Sequence, residues 1–163
     1  MHNLIRLHGR IDRAMYESFK KRFEAIPEGE YVYLHINSTG GYLDIAWEIE
    51  KLIIRRQNEL KIVGIGYKNV HSAAIHILLA CTFRIGYSNV KYLMHLPKSD
   101  GSELGDRVVL KMQNEEIDYF ARMLRKSKTL IYQLMQQEIY LTAYQAEMLG
   151  ILNFKFEKVS KFS

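Results

Sequence analysis

The apolar positions change period several times along the chain, and each change marks an element. Residues 3–7 read as a short strand ending at Gly9. From about residue 12, Met15, Phe19, Phe23 and Ile26 recur at helical spacing with polar residues between them, and Pro27-Glu28-Gly29 stops that helix. Residues 31–36, Tyr-Val-Tyr-Leu-His-Ile, are dense in β-formers and nearly continuous in apolar character, the pattern of a strand covered on both faces. This strand runs into Asn37-Ser38-Thr39-Gly40-Gly41, after which residues 43–56 predict a helix with Ile45, Ile49, Leu52 and Ile53 on one face. Residues 60–66 repeat the buried-strand pattern, 72–81 read as a short apolar helix, and 83–87 and 90–94 as two short strands. A long polar helix is expected over 103–125 and another near 129–136. Thr142-Ala143-Tyr144-Gln145 has the form of a capping box opening a last helix that stops at Gly150, and residues 154–159 alternate as a closing strand. Strands alternating with helices predict an α/β fold with a largely parallel sheet.

Composition narrows the function classes. The 163 residues, with no linker and two prolines, predict a single domain; 48% apolar and 25% charged is an ordinary globular balance. No apolar run approaches the roughly 20 residues that cross a bilayer, and the N-terminus lacks a signal-peptide pattern, so no membrane partner and a cytoplasmic location are expected. Cys81 stands alone inside an apolar run, which excludes an intrachain disulfide or a cysteine-based zinc site and predicts a buried thiol. The net charge of +5 is spread and interleaved with acids, as at Lys51 beside Glu50, and no nucleic-acid motif accompanies it, so nucleic acid is not an expected partner. Neither H-E-x-x-H nor G-x-G-x-x-G spacing is present, and no metal or cofactor is expected.

Three places carry candidate chemistry. Gly40-Gly41, between a strand and a helix, permits unusual backbone angles and close approach of a ligand to N–H groups; it reads equally as half of an oxyanion hole or as a plain turn. Ser72 heads the apolar helix, where its hydroxyl and the N–H of Ala73 point toward one space. That is the logic of a nucleophile elbow without its G-x-S-x-G sequence, and a helix N-cap serine is the other reading. His95 ends a strand ahead of Leu96-Pro97, a place suited to a general base or to a satisfied surface histidine. His71 adjoins Ser72, so their side chains diverge; His76 packs in or beside the helix, His35 reads as a hydrogen-bonded core histidine, and His2 and His8 carry no signal.

Taken in order, these pieces resemble the Clp protease proteolytic subunit family of the ClpP/crotonase superfamily, and within it phage prohead ClpP-like proteases most of all. The resemblance rests on Asn37-Ser38-Thr39-Gly40-Gly41, on Ser72-Ala73-Ala74 at the head of the apolar helix and on Met94-His95-Leu96-Pro97. It also rests on Tyr140-Leu141-Thr142-Ala143 through Ala146 to Gly150-Ile151-Leu152, and on the opening Leu7-His8-Gly9-Arg10-Ile11-Asp12. It implies a repeated β-β-α spiral with a protruding handle helix over 103–125. It further implies a homo-oligomer, ring-forming and stacked through that helix, acting as a serine endopeptidase on peptides or unfolded polypeptides inside a chamber. By the same resemblance Ser72 is the nucleophile, His95 its base and Glu138 the orienting acid, with Gly41 and Ala73 N–H groups holding the oxyanion. The peptide would lie along Tyr42, Leu43 and the stretch from Leu96 onward.

Three departures accompany it. Glu138 stands where the family has aspartate, keeping a carboxylate but adding a methylene. Lys68-Asn69-Val70-His71 replaces the family's Gly-x-Ala-Ala before the serine. The chain starts directly at the first strand, without the axial-loop segment, which counts against gating and docking of an unfolding Clp-type ATPase. The first two departures favour an alternative reading as a catalytically silent ClpP-like structural or assembly subunit. An acyl-CoA enzyme of the crotonase type is a third reading.

Overall fold

The computed structural model describes residues 3–99 and 101–153. His2 and the expected closing strand at 154–159 lie outside them. The chain gathers into two compact units, one taking the residues up to Tyr92 together with those from Leu141 onward, the other Leu93–Tyr140.

The first unit is built on β1 (Asn3–His8), α1 (Arg13–Glu24), β2 (Tyr31–Ser38), α2 (Leu43–Arg56), β3 (Lys61–His71), α3 (Ala73–Ala80) and β4 (Phe83–Gly86). Strands β1 to β4 run parallel in the order β1-β2-β3-β4, and the short β5 (Lys91–Leu93) pairs with β3. Helix α1 starts where the Asp12 carboxylate accepts the Met15 N–H at 2.9 Å, and it buries Phe19 against Phe23. Its far end is closed from outside: the Arg56 guanidinium donates to the Phe23 and Ile26 carbonyls at 2.7 and 2.8 Å, satisfying acceptors that a helix end leaves open.

The sheet is more one-sided than its near-continuous apolar runs predict. Val32, Leu34, Ile36 and Ile62 are buried, whereas alternate residues Tyr33, His35, Val63 and Tyr67 are only half-buried. Aromatic side chains raise the apolar count of β2 yet tolerate this position, which masks the two-residue alternation of a strand with one wet face. His35 is therefore no core residue. It lies on the half-exposed face, where His8 Nε2 meets its Nδ1 at 2.8 Å.

Strand β3 runs on to His71 rather than ending at Gly66. Pairing passes from Ile36↔Gly66 to Ser38↔Val70, so β3 carries extra residues as a bulge, with Lys68 at φ +55°. Helix α3 packs closely on β3 at Gly64, where an added Cβ would come within 2.8 Å of Leu78 Cδ1 and 2.9 Å of Cys81 Sγ. That thiol is buried as expected, and burial pushes its pKa up to about 12. Helix α6 (Ala143–Leu149) completes the unit. Its Thr142 and Gln145 form the anticipated capping box, and Gly150 closes it at φ +91°.

The second unit holds α4 (Glu103–Leu124) and α5 (Lys128–Gln137). Only the later half of α4 contributes buried side chains, Glu116, Phe120, Ala121 and Leu124; earlier on, Leu104, Val108 and Leu110 are exposed. Ser127 caps α5, whose Ile131 and Met135 are buried. No described helix is long and apolar enough to cross a membrane.

Candidate active site

In the first unit, the junction of β3 and α3 presents Ser72. From Val70 to Cys81 every residue is buried except Ser72, which is half-buried. It occupies the N-cap position of α3 without performing the task of a cap. Its φ of +55° and ψ of −124° lie outside the regions open to L-residues, and its hydroxyl accepts nothing from the helix's first turn. A capping serine has an extended backbone, as Ser102 and Ser127 do at α4 and α5. A non-glycine residue in such a conformation persists only where its surroundings impose it, and such residues cluster at functional sites.

The surroundings are visible. Gly40 stands against Ser72: a Cβ on it would lie 3.0 Å from Ser72 Cβ and 3.5 Å from Oγ. Gly40 itself is at φ +108°, and Ser38 Oγ accepts its N–H at 3.1 Å. Gly41 packs on the other side, where a Cβ would overlap the Ile11 backbone. Ile11 holds the loop by accepting the Tyr42 N–H at 2.9 Å and donating to the Gly40 carbonyl at 3.0 Å. One member of the glycine pair thus faces Ser72, and the other is clamped against the Ile11 backbone. Gly41 and Tyr42 are exposed and Leu43 is half-buried, with the Arg10 guanidinium 4.8 Å above the Tyr42 ring. Ala73 is the first residue of α3, so its N–H has no acceptor within the helix. Behind α3, the fully buried His76 has Nδ1 3.5 Å from a Glu50 carboxylate oxygen, with the Trp47 ring edge-on to it.

In the second unit, His95 is half-buried and its Nδ1 lies 3.0 Å from the Leu96 carbonyl. A carbonyl only accepts, so Nδ1 carries the proton and Nε2 is the basic nitrogen. Glu138 closes α5 at φ +50°, and its carboxylate pairs with the Lys98 ammonium at 3.0 Å rather than with the imidazole. The Lys98 hydrogen bond and charge hold this carboxyl below its ordinary value, with a smaller contribution from His95. Beside them lies a cavity of about 560 Å³ whose walls include Leu96, Pro97, Val109, Leu110 and Met135, with Lys98 and Glu138 also lining it.

The Clp protease family profile matches residues 2–157. The chain belongs to that family. Among Clp relatives, the ATP-dependent Clp protease proteolytic subunit 2 of Treponema denticola is 30% identical over 137 residues, covering 81% of this chain and 63% of its own length. The same subunit of Treponema pallidum is 28% identical over 139 residues, covering 82% and 64%. The chain therefore spans somewhat under two thirds of these Clp relatives. A ClpP1 mutant from Listeria monocytogenes shares the fold at a TM-score of 0.80 and 22% identity, over 93% of this chain and 89% of that one.

Set beside the Clp pattern, the bulge explains one departure. The position where the family's motif has glycine is Lys68, and its φ of +55° is one that glycine adopts without strain. Sequence reasoning missed two contributors. Ser38 was visible inside the Asn37–Gly41 turn, but only its bond to Gly40 gives it a task. Lys98 follows Pro97 with no signal of its own, because its partner is 40 residues away.

Proposed function

We propose that this Clp-family chain is a serine endopeptidase in which Ser72 Oγ attacks the scissile carbonyl and His95 Nε2 takes its proton, then delivers it to the leaving amine. The observation that carries the reading is Ser72 itself: half-buried, uncapped and held by its surroundings in a strained backbone conformation of the kind that clusters at functional sites. Family membership as a Clp-type hydrolase supports the same reaction class. The N–H groups of Gly41 and Ala73 receive the oxyanion, a contribution whose loss typically lowers rate by ~10²–10³. An extended peptide pairs along residues 41–43 and the stretch after His95, with Tyr42, Leu43 and Leu96 touching its side chains.

Peptides or unfolded polypeptides are the substrate class, reached inside an assembly of identical chains in the cytoplasm. Helix α4 is the handle of that assembly, a reading supported by the exposed Leu104, Val108 and Leu110 on its first half. A Clp-type ATPase partner is not part of the proposal. A phage prohead-like subclass within the ClpP/crotonase superfamily fits the motifs of the chain.

Labelling with a fluorophosphonate tests the chemistry. Covalent attachment at Ser72, absent in Ser72→Ala, is the expected result; a folded oligomer that neither labels nor turns over peptides sinks the proposal. Lys98 on Glu138 favours a second reading, a catalytically silent subunit, which that negative result would select.

A further inference from the structure

The orienting acid of a serine–histidine site has one point of attachment, the Nδ1–H of the imidazole. Here that single proton is directed at the Leu96 carbonyl at 3.0 Å, while Glu138 Oε1 sits on Lys98 Nζ, also at 3.0 Å. Glu138 and the Leu96 carbonyl are alternatives for one donor, and in this arrangement the carboxylate is drawn to Lys98 while the ring proton goes to the carbonyl. We infer that Lys98 is a positioning residue, a latch that withholds Glu138 from His95 and leaves the Leu96 carbonyl to orient the ring.

This rests on the Ser72–His95 peptidase reading, which gives the orientation of His95 its importance. Lys98 suits the part. It stands three residues after His95, and it and Glu138 both line the cavity beside Leu96. Both side chains of the pair are solvent-accessible, at 73% and 44%, so the pair exchanges by rotation of side chains alone. Glu138 is anchored by its backbone at the end of α5, so its carboxylate moves without the helix. The charged groups facing this place in its own unit are Lys98 from the segment after His95, Glu138 from α5 and Asp106 from α4. Asp106 accepts the Ser99 hydroxyl at 2.6 Å, and the ion pair of Lys98 is made with Glu138. Release of the latch brings Glu138 to Nδ1–H, and the carboxylate then stabilises the imidazolium that forms during proton transfer.

The test is a set of ring-nitrogen NMR titrations of His95 in the full-length parent, Lys98→Met, Glu138→Gln and the double variant, with His95→Gln giving the assignment. Lys98→Met raises the His95 pKa by about one unit, and the same substitution in the Glu138→Gln background raises it by only a small part of that. The parent shows the Nδ1–H tautomer. Equal shifts in the two backgrounds would overturn the latch, because Lys98 would then act only through its own charge. A fall of about one unit or more in Glu138→Gln alone would also overturn it, since Glu138 would already be on the ring. The acid limb of Ser72 labelling should move with the His95 pKa. If the parent does not label at all, the peptidase reading fails while the NMR cycle still decides the latch.

Discussion

Replacing Ser72 by glycine and by alanine separates the strain at this residue from its chemistry. Both substitutions delete the hydroxyl, which caps nothing, so its loss is common to the two. Alanine keeps a Cβ and with it the conflict at φ +55° and ψ −124°; glycine removes it. A conformation of this kind costs on the order of 1–3 kcal/mol. Glycine gives back roughly 0.5–1 kcal/mol through the greater freedom of its unfolded chain, and a few tenths more for the half-buried Cβ. At the middle of these ranges Ser72→Gly is therefore expected to be more stable than Ser72→Ala by about 1 kcal/mol, with both expected to be inactive. For a chain of this length that is a difference in melting temperature of a few degrees, ~2–4 °C per kcal/mol. Urea unfolding followed by circular dichroism, at matched protein concentration because association shifts apparent stability, reads it as a higher midpoint at unchanged slope. A glycine variant no more stable than the alanine variant would mean that the backbone is relaxed there, and the case for Ser72 as nucleophile would lose its main support.

Lys68→Gly should stabilise the chain by a few tenths to about 1 kcal/mol in the same assay, since φ +55° is then unstrained and only a cation–π contact to Tyr67 is lost. Gly41→Ala drives a Cβ into the Ile11 backbone; it should lower stability by about 1–3 kcal/mol and slow Ser72 labelling. His8 and His35 both have pKa values below the ordinary 6.5, first through burial and then through neighbouring positive charge. The unfolded state then binds more protons, so their contribution to stability is complete above about pH 6.5 and is lost as pH falls below it. Urea midpoints at about pH 7.5 and 5.5 should show the drop, and His35→Gln should flatten it. Cys81, buried and with its thiol pushed up to about 12, should resist iodoacetamide in the native protein and react only after unfolding; native alkylation would contradict its placement.

Helix α2 could be read to the residue because Ile45, Ile49, Leu52 and Ile53 keep a strict helical period and Gly40-Gly41 marks its approach. Helix α3 was legible for a different reason, the short apolar run that Ser72 heads and Cys81 ends. The end of β3 was not. Tyr67, Lys68 and Asn69 break the apolar run, and the strand continues only because the bulge restores pairing at Ser38↔Val70. Local sequence left Ser72 divided between cap and nucleophile; the two differ in φ and ψ, which no periodicity encodes. His8 carried no signal and His35 read as a core histidine, since their contact depends on β1 lying beside β2 with Arg6 opposite His35. The identity of Glu138 as a carboxylate was plain, but its partner was not, because an ion pair across 40 residues depends on how α5 returns to the segment after His95.

Helix α3 has no polar stripe; it is enclosed on every side, from Ala73 to Ala80. Its amides should therefore exchange with deuterium only when the whole unit opens, not through fraying. The distortion at Ser72 is thus borne by the last part of the molecule to let go. Reactivity at this serine should persist through warming and mild denaturant until the unit unfolds, then vanish in the same transition.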